Sequence, residues 1–276
     1  MSFLSDGVAV VTGAGSGIGR ALAQQLAAAG SALALADVDE AGLAQTLQSL
    51  GSKNAPVTTR VMDVADEASV GAFAEDVGRR HGRVTLLINN AGVALHGKFE
   101  EISLDDFRWL MNINFWGTVY GVKYFLPLLK QQPRGHIVNL SSVFGIIAPP
   151  GQPAYSASKF AVRGFTECLR HELEGTPVRV SCVHPGGIRT AIARRARIGA
   201  GAERARQEGV IAQFDRLART SSEEAAARIL RGVEKKEPRI LIGSDAYQID
   251  LVQRMRPATY WKPLSRQFKK ILDDPK

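Results

Sequence analysis

Only two of the 276 residues are cysteines, Cys168 and Cys182. Both sit in apolar patterned segments without metal-ligand spacing, which excludes a disulfide-stapled scaffold and fits a reduced, cytosol-like compartment. No stretch approaches the roughly 18 apolar residues that a membrane-spanning helix requires. Met1 to Asp6, ahead of the first strand pattern, is too short for a signal peptide. Internal repeats, low-complexity linkers and His/Cys/Asp/Glu sets with metal spacing are all lacking. What is present is an ordinary globular balance, 45% hydrophobic and 22% charged, in a chain long enough for one large domain or two small ones. The expectation is a cytoplasmic protein, bound at most to a membrane surface.

Charge is the one unbalanced quantity. The net charge is +8, but residues 188–208 and 254–276 hold more than all of it, and the remainder is close to neutral. Six arginines in the first segment face only Glu203 and Glu208. A local excess asks for a local cause: an acidic substrate handle, an anionic surface, a neighbouring subunit, or a solvated helix face. No nucleic-acid recognition module accompanies the basic residues, so a nucleic-acid partner is not expected.

Short apolar runs alternate with amphipathic stretches. Val8–Thr12 reads as a buried strand ending at a glycine cluster, and Ile18, Leu22 and Leu26 mark one face of a helix reaching Ala29. Further strands are expected at Ala32–Ala36, Val57–Met62, Val84–Ile88, His136–Leu140, Val178–Val183 and Arg239–Ile242. Helices are expected at Ala41–Leu50, Ala68–Arg80, Leu104–Leu129 with an adjustment near Gly117, Tyr155–Leu173 and Glu223–Glu234. Residues 188–220 break the rhythm and read as helical, and so does the tail. This alternation predicts an α/β fold: one doubly wound parallel sheet of about seven strands with helices on both faces. The domain spans residues 1–243, with 188–216 as a substrate-loop insertion and 244–276 as a basic helical extension.

The turn Thr12-Gly13-Ala14-Gly15-Ser16-Gly17-Ile18-Gly19 joins the first strand to the first helix, where glycines let backbone approach a pyrophosphate resting on helix N-terminal amides. Its spacing is G-x3-G-x-G. Asp37 closes the second strand, 18 residues past Gly19. A carboxylate there accepts from adenosine ribose hydroxyls and repels a 2′-phosphate, favouring NAD over NADP; it also suits a cap for the helix beginning near Glu40. Asn89-Asn90-Ala91-Gly92 ends the fourth strand, at the edge where such sheets gather ligands.

Tyr155 and Lys159 stand at i and i+4 on one helix face. A free phenol, with a pKa of about 10, is a poor base at neutral pH. A fixed cation and the positive end of a helix both favour its ionised form, the condition for a general acid/base. Upstream, Asn139-Leu140-Ser141-Ser142 ends a strand, and a serine hydroxyl there could bind a substrate oxygen beside the tyrosine.

Together these motifs make the chain resemble the short-chain dehydrogenase/reductase family from Val8 to about Ile242. The matching residues are the Thr12–Gly19 turn, Asp63-Val64, Asn89–Gly92, Asn114, Ser142, Tyr155, Lys159 and Pro185-Gly186-x3-Thr190. The resemblance implies an NAD-dependent oxidoreductase interconverting a secondary alcohol and a carbonyl. Tyr155 would exchange the proton, Lys159 would hold the nicotinamide ribose, and Ser142, favoured over Ser141 by the family spacing, would orient the substrate. Asn114, favoured over Asn112, would hold a water linked to Lys159. Gly13, Ser16, Gly17, Ile18 and Gly19 would carry the dinucleotide. Asp63 with Val64 would meet the adenine, Asn90 the adenosine side, and Ile188 and Thr190 the carboxamide. Dimers or tetramers are implied as well. A redox-sensing NAD-binding module with little catalysis is the alternative, and the intact Ser142, Tyr155 and Lys159 set counts against it.

Substrate selection is expected in residues 93–99, 143–153 and 188–216. Val93, Leu95, Phe144, Ile146, Ile147 and Ile192 hint at a hydrophobic, lipid- or steroid-like alcohol or ketone, or else pack the loops. His96 and His184 read as structural groups. In the tail, Leu264, Phe268, Ile271 and Leu272 line one face, between Lys262, Arg266, Lys269 and Lys270, of a short basic amphipathic helix. Its default contact is the parent domain.

Overall fold

A computed structural model of the chain describes residues 3–51, 55–199, 216 and 218–266. Seven strands form one parallel sheet in the order β3-β2-β1-β4-β6-β7-β9. They are β1 (Val8–Thr12), β2 (Ala32–Asp37), β3 (Val57–Val61), β4 (Leu86–Asn89), β6 (Gly135–Leu140), β7 (Val178–Pro185) and β9 (Arg239–Ile242). Two-residue strands β5 (Leu95–His96) and β8 (Arg197–Ile198) pair separately. The helices are α1 (Gly17–Ala29), α2 (Glu40–Ser49), α3 (Glu67–His81), α4 (Leu104–Met111), α5 (Gly117–Lys130), α6 (Pro153–Glu172), α7 (Ser222–Glu234) and α8 (Ser244–Met255). The chain runs outward through β2 and β3, then returns to the other side of β1 at β4. Strand order therefore reverses between β1 and β4, and a crevice opens at their carboxyl ends.

Residues alternate faces along each strand, and both faces are buried. On one face Ala9, Val11, Leu33, Leu35, Ile88 and Val138 pack with Leu22 and Leu26 of α1 and Ile229 and Val233 of α7. On the other, Val10, Ala34, Leu87, Ile137 and Val180 meet Phe73 of α3 and Phe125 and Leu129 of α5. The Phe73 and Phe125 rings pack edge-on, with centroids 5.7 Å apart.

The helical stretch expected over Leu104–Leu129 runs unbroken to Lys130, and the adjustment expected near Gly117 is a π-helical segment, Asn112–Trp116. Close approach accompanies it: a Cβ on Gly117 would lie 2.7 Å from Val64 Cγ2, while Asn114 is turned into the interior at 1% exposure. The fourth strand starts two residues later than its apolar pattern suggests. Thr85 hydroxyl accepts from the Val8 amide at 3.0 Å and stands in for part of the strand ladder.

Of the helix expected within 188–220, residues 191–195 form turns instead and β8 pairs with β5, while Arg216 is helical and residues 200–215 and 217 lie outside the described residues. In the tail, α8 and Leu264 pack on Val143, Ile146, Ile147 and Leu241, so this part rests on the parent sheet. Phe268, Lys269, Lys270, Ile271 and Leu272 lie outside the described residues.

Phe125 is fully buried at the centre of one face. Phe125→Ala should cost about 3–5 kcal/mol of stability, read from urea unfolding; a loss below about 1 kcal/mol would mean that this core is not packed as described.

Candidate active site

The floor of the crevice is the turn after β1. Gly13 has φ +65° and Gly17 φ +52°, both in the left-handed region that side chains disfavour. A Cβ on Gly19 would fall 2.0 Å from the Gly13 carbonyl oxygen, so α1 can begin there only without a side chain. Asn90 braces the turn by donating from Nδ2 to the Thr12 and Gly13 carbonyls, each at 3.0 Å. Thr12 hydroxyl accepts in return from the Asn90 and Ala91 amides at 3.1 and 3.2 Å. Ser16 is the N-cap of α1, and its side chain makes no capping bond; Ser16, Gly17 and Ile18 line the mouth of that helix.

Asp37 lies at the end of β2 against the same turn. Its carboxylate accepts from the Gly15 amide at 2.7 Å and from the Asp39 amide at 2.9 Å. Asp39, not Asp37, caps α2, accepting from Gly42. A carboxylate has about four acceptor positions, so Asp37 keeps capacity for further donors. Asp63 is exposed at the end of β3, accepting from the Ala65 amide at 2.9 Å. Val64 beside it is buried. Thr190 stands across the crevice mouth, with its Cγ2 3.2 Å from where a Gly17 Cβ would be. Ile188, in contrast, buries its side chain in the core near α7.

The second half of the site is at the ends of β4 and β6 and the start of α6. Pro153 opens α6 with its fixed φ, placing Tyr155 in the first turn. Lys159 Nζ lies 5.6 Å from the Tyr155 ring centre and donates to the Leu140 carbonyl at 3.0 Å. Only 4% of Lys159 is exposed, and burial pulls its ammonium down to about 8. Burial pushes the Tyr155 phenol up to about 12, and a hydrogen bond from Ser142 opposes that rise. Burial thus raises the phenol by more than the Ser142 hydrogen bond lowers it, the opposite of the downward shift that the sequence spacing implies.

The two serines separate by direction. Ser141 donates into α6, to the Lys159 carbonyl at 2.8 Å. Ser142 opens a 3-10 turn, accepting from Phe144 at 3.1 Å, and faces Tyr155. Asn114 and Asn112 part in the same way. Asn112 is exposed, whereas Asn114 accepts from the Val93 amide at 2.8 Å and donates to the Val93 carbonyl and Ser158 hydroxyl at 3.0 and 3.1 Å. Gly92 lies between Asn114 and Lys159, its would-be Cβ 3.2 Å from Asn114 Oδ1 and 3.5 Å from Lys159 Nζ.

Several contributors carry no motif. Arg20, one turn into α1, donates to the Gly15 carbonyl at 2.5 Å and to Thr46 at 3.0 Å, fastening the turn to α2. Asp245 accepts from the Gly187 amide at 2.7 Å and holds the loop leading to Thr190. His184 Nδ1 donates to the Ser142 carbonyl at 3.0 Å. Arg197 stacks on Trp109 at 3.7 Å and pairs with Asp106 at 3.0 Å, while Arg195 reaches Asp39 at 3.4 Å. Two of the segment's arginines are therefore fasteners across the crevice. His96 bonds Gln152, and Leu95, Ile146 and Ile147 are core residues. No cluster that could hold a metal ion exists among the described residues.

A glycine-walled crevice at a topological switch point, with an acidic residue ending the second strand, defines a dinucleotide-binding α/β protein. Residues 7–200 match the description of the short chain dehydrogenases. The chain belongs to that family, a family of oxidoreductases. It is 46% identical over 263 residues, 94% of each chain, to "Putative oxidoreductase SadH" of Mycobacterium tuberculosis. A Burkholderia phymatum short chain dehydrogenase/reductase in complex with NAD superposes with TM-score 0.86 at 34% identity, covering 93% of this chain and 96% of that one. A Thermococcus sibiricus alcohol dehydrogenase complexed with 5-hydroxy-NADP gives 0.73 at 26% identity, over 86% and 96% of the two chains. A nicotinamide cofactor is common to these two structures.

Burial also pushes His136 and His184 down to about 4, so both are neutral in the folded protein at pH 7. Unfolded histidines titrate near 6.5. Their contribution to stability is complete above about 6.5 and is lost as pH falls toward about 4, at about 1.4 kcal/mol per pH unit for each histidine. Urea midpoints measured across that window should fall with acidity, and less steeply in His136→Gln. An unchanged slope in that variant would contradict a buried neutral ring.

Proposed function

We propose that the protein is an NAD-dependent dehydrogenase/reductase that interconverts a hydrophobic secondary alcohol and its ketone. The observation that carries this reading is the convergence of Ser142, Tyr155 and the buried Lys159 beside the glycine turn. The residues fit a dinucleotide. Gly13 and Gly17 leave the turn open to a pyrophosphate, Asp37 has spare acceptor positions for ribose hydroxyls, and Lys159 lies near enough to Gly92 to reach a ribose. Asp63 would meet the adenine and Thr190 the carboxamide. The cofactor, when bound, supplies or accepts the hydride.

Tyr155 holds the proton. With burial keeping its phenol protonated at neutral pH, it is set to donate to a carbonyl oxygen as the carbon gains hydride, and the reverse transfer serves alcohol oxidation. Ser142 hydroxyl donates to the same oxygen and disperses its developing charge. Lys159, cationic at neutral pH, stabilises the phenolate left behind. Asn114, inward on the π-helical segment, keeps Val93 and Ser158 in place, and a water beside it would link Lys159 to solvent.

Support for a hydrophobic substrate comes from fewer residues than the sequence suggests. Val93, Phe144 and Ile192 remain partly exposed, and the Phe144 ring packs edge-on against Tyr155 at 6.0 Å. A homodimer or homotetramer is supported by Trp116 and Phe160, 44% and 40% exposed beside α5 and on α6.

Tyr155→Phe should lower turnover by about 10²–10⁴-fold while NADH titration by fluorescence stays near the wild-type value; retention of most activity would sink the assignment. Wild-type protein should prefer NADH over NADPH, and Asp37→Ala should raise kcat/KM for NADPH relative to NADH. A native preference for NADPH would overturn the role given to Asp37.

A further inference from the structure

At the opposite edge of the sheet a cavity of about 370 Å³ opens where β6 and β7 begin. Its floor is His136, 3% exposed, and its walls carry Phe3, Arg134, Arg179, Lys236 and Glu234. The length of β6 separates it from the Leu140 end, by roughly 16 Å at the usual rise per residue. It is therefore distinct from the nucleotide crevice.

We infer that this cavity is a second ligand site, one that takes a compact phosphorylated small molecule through Arg134, Arg179 and Lys236. None of these three cations forms an ion pair among the described residues, and a single carboxylate, Glu234, lines the cavity with them. Arg134 lies 5.7 Å over the Phe3 ring, which orients its guanidinium without neutralising it. Arg179 and Lys236 line the cavity with His136, and their charges join burial in keeping that ring neutral. Three positive charges against one carboxylate leave the exposed wall of the cavity net positive, which a bound polyanion would neutralise. Arginine forks match phosphate oxygens in geometry.

The backbone adds an independent observation. Lys236 has φ +55°, and it is the one non-glycine residue with positive φ among the described residues. Glycine at this helix end would adopt that conformation without strain. The side chain that bears the strain is the one that supplies a cation to the cavity. Ordinary small-molecule sites occupy about 300–1,000 Å³, and this cavity is at the lower end, the size of a diphosphate with a small attached group.

The test uses the full chain saturated with NADH, so that inorganic pyrophosphate cannot report on the nucleotide crevice. Calorimetric titration with pyrophosphate should show one site. Arg179→Gln and Lys236→Gly should each weaken binding by about tenfold or more, a loss of about 1.4 kcal/mol. Because glycine removes the strain, Lys236→Gly should keep or raise the Tm, which separates lost binding from failed folding. Absence of binding in the wild-type protein, or wild-type affinity in both variants, would each overturn the site. Vesicles of phosphatidylcholine with phosphatidic acid form a second arm: sedimentation with them that is lost in the two variants would make a lipid headgroup the occupant and overturn the soluble ligand.

Discussion

Burying the ammonium of Lys159 with a single fixed carbonyl acceptor is the constraint around which the working end of this protein is arranged. A charge taken out of water must be oriented and partly compensated. The Leu140 carbonyl does this at 3.0 Å, because β6 ends where α6 passes over it. Ser141 ties the same turn of α6 to the strand through the Lys159 carbonyl. Gly92 leaves room on the far side, and Asn114 closes it. Displacing any of these would shift the ammonium relative to Tyr155, and with it the proton-transfer chemistry that we propose.

The same logic explains why polar residues are concentrated in an otherwise apolar interior. Asn89 donates to Asn139 at 2.8 Å, and Asn139 donates to Thr166 at 3.0 Å, joining β4, β6 and α6 beneath the site. Hydrogen bonds of this kind between buried side chains favour one register of the strands and helix. On β7, His184 makes a separate bond to the Ser142 carbonyl. The site is thus held from the core outward, and the crevice is spanned from above by Arg195 and Arg197 on their partners Asp39, Asp106 and Trp109.

The two ends of the sheet use charge in opposite ways. At the carboxyl end, the arginines that make residues 188–199 so basic include two that are spent on internal partners, so they are fasteners more than an attractive surface. At the amino end, three cations scattered through the sequence line one cavity, and none of them forms an ion pair among the described residues. A charge count by segment draws attention to the first group and passes over the second, since proximity there arises only where the loops before β6 and β9 meet the start of β7.

The sequence alone determined the β-α alternation, the glycine turn, the acidic end of β2 and the Tyr155–Lys159 spacing. Each is a local property: side-chain periodicity, a backbone conformation only glycine adopts freely, or an interval of one helical turn. Tertiary structure decided the rest. It made the adjustment expected near Gly117 a π-helical segment, Asn112–Trp116, where Gly117 passes against Val64 and Asn114 turns inward. It sent Ser141 to the helix and Ser142 to the tyrosine, gave the α2 cap to Asp39, and consigned Leu95, Ile146 and Ile147 to packing. It also let burial raise the Tyr155 phenol by more than the Ser142 hydrogen bond lowers it. Desolvation depends on everything that surrounds a group, and residues distant in the chain supply most of those surroundings, so no spacing along the sequence can report it.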